Sequence, residues 1–226
     1  MNVLVVIPAY NEAAHIAATV RAARRYLPVL VVDDGSTDGT AGLAAAAGAQ
    51  VLRQVPNQGK GAALRAGFDR ALALGVEYVI MLDADGQHDP REIPIFQQAQ
   101  AEQPVDLLVG RRAFRHMPPA RRLANTLGQW LFSWALGRFV PDNQSGYRLL
   151  SRRFMQALRA SPERGFEFEV EMFTVCVTGG YALGWVPIRT IYGDERSHIR
   201  PLQHAANFMR LVWHTRQRLR AAQWAA

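Results

Sequence analysis

VLVVIPAYNEAAHIAATVRAARRYLPVLVVDDGSTDGT, residues 3–40, holds two short aliphatic runs, Val3 to Ile7 and Val29 to Val32, separated by an Ala-rich stretch around Ala13 to Tyr26. Aliphatic runs of this length without polar alternation read as strands buried on both faces, and a helix between two of them is the crossover that makes such strands parallel. The pattern repeats through Val51 to Val55, Tyr78 to Leu82 and Val105 to Val109, with helical spacing at Thr40 to Ala47, Ala62 to Leu74 and Pro90 to Ala101. The expected class is therefore α/β, a Rossmann-like doubly wound, mostly parallel sheet with helices on both faces. Ligands of such sheets bind beyond the carboxyl ends of the strands. Two acidic clusters fall there: DDGSTDGT (33–40) after the second run and DADGQH (83–88) after the fourth.

Past residue 110 the alternation fades. RRAFRHMPPARR (111–122) sets Arg111, Arg112, Arg115, Arg121 and Arg122 around a Pro-Pro pair. FEFEVEMF (166–173) alternates strictly over Phe166 to Glu171 and reads as a strand, and GYALGWVPIRTIYG (180–193) as a strand whose Pro187 belongs on an edge or at a bulge. Gln203 to Arg220 reads as a helix with Phe208, Leu211, Val212, Thr215 and Leu219 on one face and Arg210, Arg216, Arg218 and Arg220 largely elsewhere. One domain, 1–226, is expected, in two halves (1–110 and 111–202) followed by a C-terminal amphipathic helix (203–226).

Composition narrows the partners. Twenty-six Lys and Arg against 19 Asp and Glu leave a formal charge of +7, which points to an anion, a phosphate-bearing ligand or an acidic membrane surface. The single cysteine, Cys176, excludes an internal disulfide and fits a reducing, cytoplasmic compartment. MNVLVVIPAY reads as a strand rather than a signal peptide, and the apolar stretch 127–140 is shorter than the roughly 20 residues a bilayer span needs. Peripheral association with the cytoplasmic membrane face is the expectation.

Three familiar loops fail on spacing. For a P-loop, NQGKGAALRAG (57–67) has Gln54 where the first Gly belongs and Gly61 in place of Ser or Thr; for a dinucleotide fingerprint it has Leu64 at the third Gly. A calcium loop begun at Asp34 meets Ser36 at its third position and Ala45 at its twelfth. What remains is Asp83-x-Asp85 at a strand end. Hard divalent cations accept carboxylate oxygens together with substrate phosphate oxygens, so this pair suits a metal-bound diphosphate. The plainer alternative is a turn and helix cap leading into DPREI (89–93).

VVIPAYNEAAHI (5–16), VVDDGSTDGT (31–40), NQGKGAALRAG and MLDADGQHDP (81–90), in this order and each at a strand, resemble family 2 glycosyltransferases of the GT-A fold. DNQSGYRLLSRR (142–153) and VPIRTIYGDERSHIRP (186–201) resemble acceptor-side motifs of the dolichyl-phosphate mannose synthase and polyprenyl-phosphate glycosyltransferase branch. The resemblance implies that Pro8, Ala9, Tyr10, Asn11 and Glu12 border the base and ribose of a UDP- or GDP-hexose, and that Asp33 or Asp34 reads the base edge. It implies that Gly59 to Gly61 line the donor pocket, with Lys60 either at the diphosphate or in solvent. Asp83 and Asp85 would hold Mg²⁺ or Mn²⁺ and the diphosphate, with Gln87 and His88 beside them. His88 is expected as a hydrogen-bonding neighbour rather than a ligand.

An inverting transferase of this kind works by one in-line displacement, and its acceptor decides whether a base is needed. A sugar hydroxyl keeps its proton and requires a carboxylate, for which Asp142 stands ready; a phosphate monoester, with a second pKa of about 6, is already anionic and needs only a clamp. Arg148 with Arg196 and Ser197 would form that clamp by charge-assisted hydrogen bonds. The clamp is preferred because it agrees with the arginine surplus and with a terminal helix laid in an anionic lipid interface. The catalytic set is then Asp85, Gln87, Asp142 and Arg148. Two rivals stay open: a hydroxyl acceptor with Asp142 as base, and an idle binding module. Nucleic acid is not expected, because strand-surface aromatics are lacking and the acidic clusters would repel a phosphate backbone. The terminal helix packing on the domain, and Trp130 to Phe139 as a lipid-facing helix or a dimer contact, are alternatives the sequence leaves standing.

Overall fold

A computed structural model describes residues 1–112, 119–165, 167–189 and 201–224. The elements run β1 (Val3–Ala9), α1 (Ile16–Ala23), β2 (Val29–Asp33), α2 (Thr40–Ala46), β3 (Gln50–Arg53), α3 (Lys60–Ala73), β4 (Tyr78–Met81), a 3-10 turn (Pro90–Glu92) and α4 (Ile93–Glu102). There follow β5 (Leu107–Arg112), α5 (Pro119–Leu136), β6 (Arg148–Ser151), α6 (Arg152–Leu158), α7 (Glu167–Thr178), β7 (Leu183–Ile188) and α8 (Pro201–Trp224).

Seven strands form one sheet in the order β3-β2-β1-β4-β6-β5-β7, parallel except for β6, which runs antiparallel to β4 and β5. Alternate residues of the central strands feed two cores. Leu4, Val6, Leu30 and Val32 pack under α3 and α5 to α8, while Val3, Val5, Ile7, Val29 and Val31 pack under α1, α2 and α4. Burial on both faces is why those strands carry uninterrupted aliphatic runs. Because β1, β2 and β4 are parallel, their carboxyl ends put the loops 9–15, 34–39 and 82–89 on one edge of the sheet.

Two expectations are corrected. Residues 167–178, expected as part of a strand, form α7: Phe168, Met172 and Cys176 recur at helical spacing and are fully buried. The strict alternation misled because Glu169 and Glu171 do not face water; they are buried, Glu169 paired with Lys60 and Glu171 with Arg218. The apolar face of α8 does not meet lipid. Leu211, Val212, Thr215 and Leu219 are buried against α5 and α7, with Thr215 Oγ1 3.0 Å from Thr174 Oγ1. Pro187 lies in β7, the edge strand, where its missing N–H leaves no gap in the ladder.

Candidate active site

The loops after β1 and β2 are sewn together by hydrogen bonds. Asn11 N donates to Ser36 Oγ (2.9 Å), Thr37 N to Asn11 Oδ1 (2.9 Å) and Glu12 N to Thr40 Oγ1 (2.9 Å). Asn11 holds φ at 55°, a left-handed conformation that Asn tolerates better than most residues, and the turn leaves Tyr10 half exposed at the rim. Pro8 and Ala9 end β1 in full burial.

Asp33 and Asp34 diverge. Asp34 takes Gln58 N (2.8 Å) and Gly59 N (2.7 Å) on its two oxygens, so it anchors the start of α3. Asp33 accepts Ser36 N at 3.3 Å and lies 3.2 Å from Arg53 Nε. Gly59 and Gly61 serve close approach rather than phosphate wrapping. A Cβ on Gly59 would come 2.7 Å from the Arg164 carbonyl oxygen, and one on Gly61 would come 2.7 Å from Phe168 Cβ.

That tight packing aims Lys60, the first residue of α3, inward. Its Nζ lies 2.6 Å from Asp83 Oδ1 and 3.0 Å from Glu169 Oε2. Burial alone would push this ammonium down, but the two carboxylates outweigh it and hold the pKa above the ordinary lysine value. Asp83 in turn would be raised by burial, yet the Lys60 ammonium beside it holds it below the usual carboxylate range. Lys60 is therefore a buried ion-pair partner rather than a solvated side chain.

His88 is neutral. Burial pushes its pKa down to about 4, and its Nδ1 accepts the Asp83 N–H at 2.9 Å, which leaves the ring proton on Nε2. Its ring lies 5.1 Å from that of Tyr147, whose hydroxyl donates to the Asp89 carbonyl. Asp85 Oδ1 accepts Gln87 N at 2.9 Å. The helix cap of this segment is Asp89, which accepts Arg91 N at 3.0 Å at the start of the 3-10 turn. Capping falls to the later aspartate, and Asp83 and Asp85 stand ahead of it in the turn.

The 142–148 segment closes the site. Asp142 is fully buried and accepts Arg112 Nε (2.7 Å), Arg112 Nη2 (2.9 Å), Arg112 N (3.2 Å) and Gln144 N (3.1 Å). Arg148, the first residue of β6, is equally buried. Its Nε donates to the Ser145 carbonyl (2.8 Å), its Nη1 to the Glu169 carbonyl, and its guanidinium lies 4.7 Å from the centroid of the Phe173 ring. Burial lowers its pKa while Glu169, Asp142 and Asp83 raise it. Among the described residues its Nη2 has no hydrogen-bond partner, nor do Glu169 Oε1, Ser145 Oγ and Asn143 Nδ2, which makes four such buried polar atoms around this segment. Buried polar atoms of native proteins are seldom left without a partner. Gly146 lets these side chains come close to the backbone: a Cβ there would lie 2.7 Å from Asp83 Oδ2 and 2.9 Å from Glu169 Oε1.

The structure thus gathers Lys60, Asp83, His88 and Arg148, and adds Glu169, which sequence reading missed. Three glutamates interleaved with apolar residues in the Phe-Glu-Phe-Glu-Val-Glu run (166–171) were the available signal. It also missed Arg112 as the partner of Asp142. Arg196 and Ser197 lie outside the described residues.

Comparison with known proteins places this geometry. The model of the glycosyl transferase family 2 domain matches residues 4–157. Polyprenol monophosphomannose synthase of Mycolicibacterium smegmatis is 32% identical over 205 residues, covering 82% of this chain and 76% of that protein. Undecaprenyl-phosphate mannosyltransferase of Micrococcus luteus is 32% identical over 203 residues, 83% of each. Among solved structures, glucosyl-3-phosphoglycerate synthase of Mycobacterium tuberculosis, in complex with Mn²⁺, UDP and phosphoglyceric acid, matches 95% of this chain and 76% of that one. Its TM-score is 0.73 at 22% identity, a likeness of fold. The loops that converge on Asp83 thus fall within a domain match reaching from β1 into α6, and the chain belongs to glycosyl transferase family 2, a glycosyltransferase of the GT-A fold.

Proposed function

We propose that the protein transfers a hexose, with inversion, from UDP- or GDP-hexose to a polyprenyl phosphate. The observation that carries the choice of acceptor is the state of Asp142. A hydroxyl acceptor needs a carboxylate able to take its proton, and Asp142 already accepts four hydrogen bonds, two of them from the side chain of Arg112. A phosphate acceptor brings its own negative charge and needs cationic donors instead. Arg148 Nη2, buried and without a hydrogen-bond partner among the described residues, is such a donor, and Arg196 and Ser197 complete the clamp in this reading. The two bacterial relatives, an undecaprenyl-phosphate mannosyltransferase and a synthase of polyprenol monophosphomannose, support the same class.

On the donor side, Pro8 to Glu12 and Asp33 border the nucleoside, with Tyr10 at the rim offering a face to the base. Asp83, Asp85 and Gln87 form an oxygen-only set, which suits Mg²⁺ or Mn²⁺ rather than a softer ion. Among the described residues no group of three or more His, Cys, Asp or Glu could hold a metal unaided, so diphosphate oxygens must complete the coordination. When bound, the cation offsets the charge that develops on the departing nucleoside diphosphate. Lys60, held against Asp83, contributes a fixed positive charge from the protein side. Neutral His88 fixes the Asp83 backbone and brings no charge of its own.

A lipid-borne acceptor puts the reaction at a membrane surface, and we assign the cytoplasmic face. Among the described residues no helix is long and apolar enough to cross a membrane. The deciding experiment has two arms. Calorimetric titration of UDP and GDP, with and without Mg²⁺ or Mn²⁺, should give metal-dependent binding of one nucleotide that Asp85→Ala abolishes. Incubation with the preferred sugar nucleotide and either a short-chain polyprenyl phosphate or the matching polyprenol should yield product only from the phosphate. Comparable transfer to the alcohol would restore Asp142 as a base and overturn the acceptor assignment.

A further inference from the structure

The most exposed large apolar side chains of the second half lie on two adjoining helices. Leu127, Trp130 and Trp134 follow one another on α5 at spacings of three and four, and Phe139 comes just after the helix; they are 60%, 72%, 56% and 66% exposed. On α8, Met209 and Trp213 are exposed, although Leu211, Val212, Thr215 and Leu219 pack inward. Met209, Trp213, Arg216 and Arg220 recur at spacings of four, three and four, so they share one flank of α8. On that flank the Arg216 guanidinium lies 5.1 Å from the centroid of the Trp134 ring and donates to the Trp134 carbonyl, which joins the two exposed sets. Three of the five tryptophans in the chain are in this patch.

We propose that this face of α5 and α8 docks the enzyme on an anionic lipid bilayer. Neither helix contains a single Asp or Glu, while Arg216 and Arg220 share the flank of α8 that carries Met209 and Trp213, and Arg138 stands next to the exposed Phe139 in the chain. Tryptophan prefers the boundary between headgroups and acyl chains, and arginines beside it are drawn to acidic headgroups. A second copy of the chain is a poor occupant, because a symmetric dimer would set these arginines against each other with no acidic residue on either helix to offset them. The patch is also continuous with the acceptor segment: Gln129 Nε2 donates to the Pro141 carbonyl and Val140 N to Ser133 Oγ, so α5 is tied to the residues next to Asp142. Docking here would bring a lipid headgroup to the 142–148 segment, a purpose that rests on the lipid-phosphate acceptor proposed above. The contact differs from that expected of the terminal helix, since the inward face is already covered and the opposite flank meets the lipid.

The test is sedimentation of the full chain with vesicles of phosphatidylcholine alone or mixed with phosphatidylglycerol, followed also by tryptophan emission. Binding to the acidic vesicles only, with a blue shift, is expected. A Trp130→Ser, Trp134→Ser, Trp213→Ser variant should lose both signals. Arg216→Gln with Arg220→Gln should weaken binding by about fivefold for each charge removed, more at low salt than at high salt. The three tryptophans and Arg220 are exposed and Arg216 is half-buried against Trp134, and unchanged nucleotide titration will show that the variants are folded. Vesicle binding lost in these variants supports the docking face whether or not a polyprenyl phosphate is glycosylated. Variants that sediment like the wild type, or a wild-type chain that ignores acidic vesicles and instead dimerises through the tryptophans, would overturn it, even if transfer to a short-chain acceptor proceeds.

Discussion

Replacing Asp142 by Asn separates a structural carboxylate from a catalytic one. The substitution keeps shape and removes charge. Oδ1 now accepts Arg112 Nη2 and Gln144 N, and Oδ2 accepts Arg112 Nε and N. Whichever way the amide turns, its NH₂ group faces two donors, so two hydrogen bonds are lost and a guanidinium is left without its counter-ion. Breaking a buried pair from one side costs about 3–5 kcal/mol. Asp142 is fully buried, but the Arg112 side chain keeps 15% of its exposure and can recover some water, which favours the lower end, about 3 kcal/mol. For a chain of this size that corresponds to a fall in Tm of about 6–12 °C. Turnover measured well below the new Tm should stay within about tenfold of wild type, whereas removal of a true general base costs about 10²–10⁴. Arg112→Met should destabilise comparably, and the double variant by less than the sum, because both changes remove one pair. Thermal unfolding by circular dichroism and a transfer assay at 20 °C provide the readings. An unchanged Tm together with a hundredfold loss of turnover would refute the reasoning and make Asp142 the base.

Three further outcomes follow from the same geometry. Gly146→Ala sets a Cβ against the ends of two carboxylate side chains rather than against backbone, so those ends should yield; Tm should move little while calorimetry shows metal-dependent nucleotide affinity weakened at least about tenfold. Lys60→Met leaves Asp83 and Glu169 facing each other without a cation, so Mn²⁺ without nucleotide should raise the Tm of the variant more than that of the wild type, and equal shifts would contradict the pairing. Burial pushes the Cys176 thiol up to about 12, so at pH 8 only about one molecule in 10⁴ carries a thiolate. A thiol reagent should therefore label the folded chain orders of magnitude more slowly than the unfolded one, with reactivity rising as denaturant opens the core.

The alternation of aliphatic strands with Ala-rich helices determined the α/β class directly, because a strand buried on both faces has no choice but to be apolar along its length. Local signals of the same kind placed the turns at Asp33–Thr40 and Asp83–Pro90, since acidic residues clustered at strand ends have few structural uses. What only the folded chain decided concerns side chains whose partners lie far away in sequence. Asp142 and Arg112 are 30 residues apart, and Lys60 meets Glu169 across more than 100; no local pattern distinguishes a paired carboxylate from a reactive one. The period-2 signal at 166–171 failed for that reason, because burying Glu169 and Glu171 against cations hid the helical face from a reading that takes glutamate as exposed. The same holds for α8. Its amphipathic pattern was visible in the sequence, but which side meets protein and which stays exposed depended on where α5 and α7 packed, and tertiary structure alone supplies that neighbour.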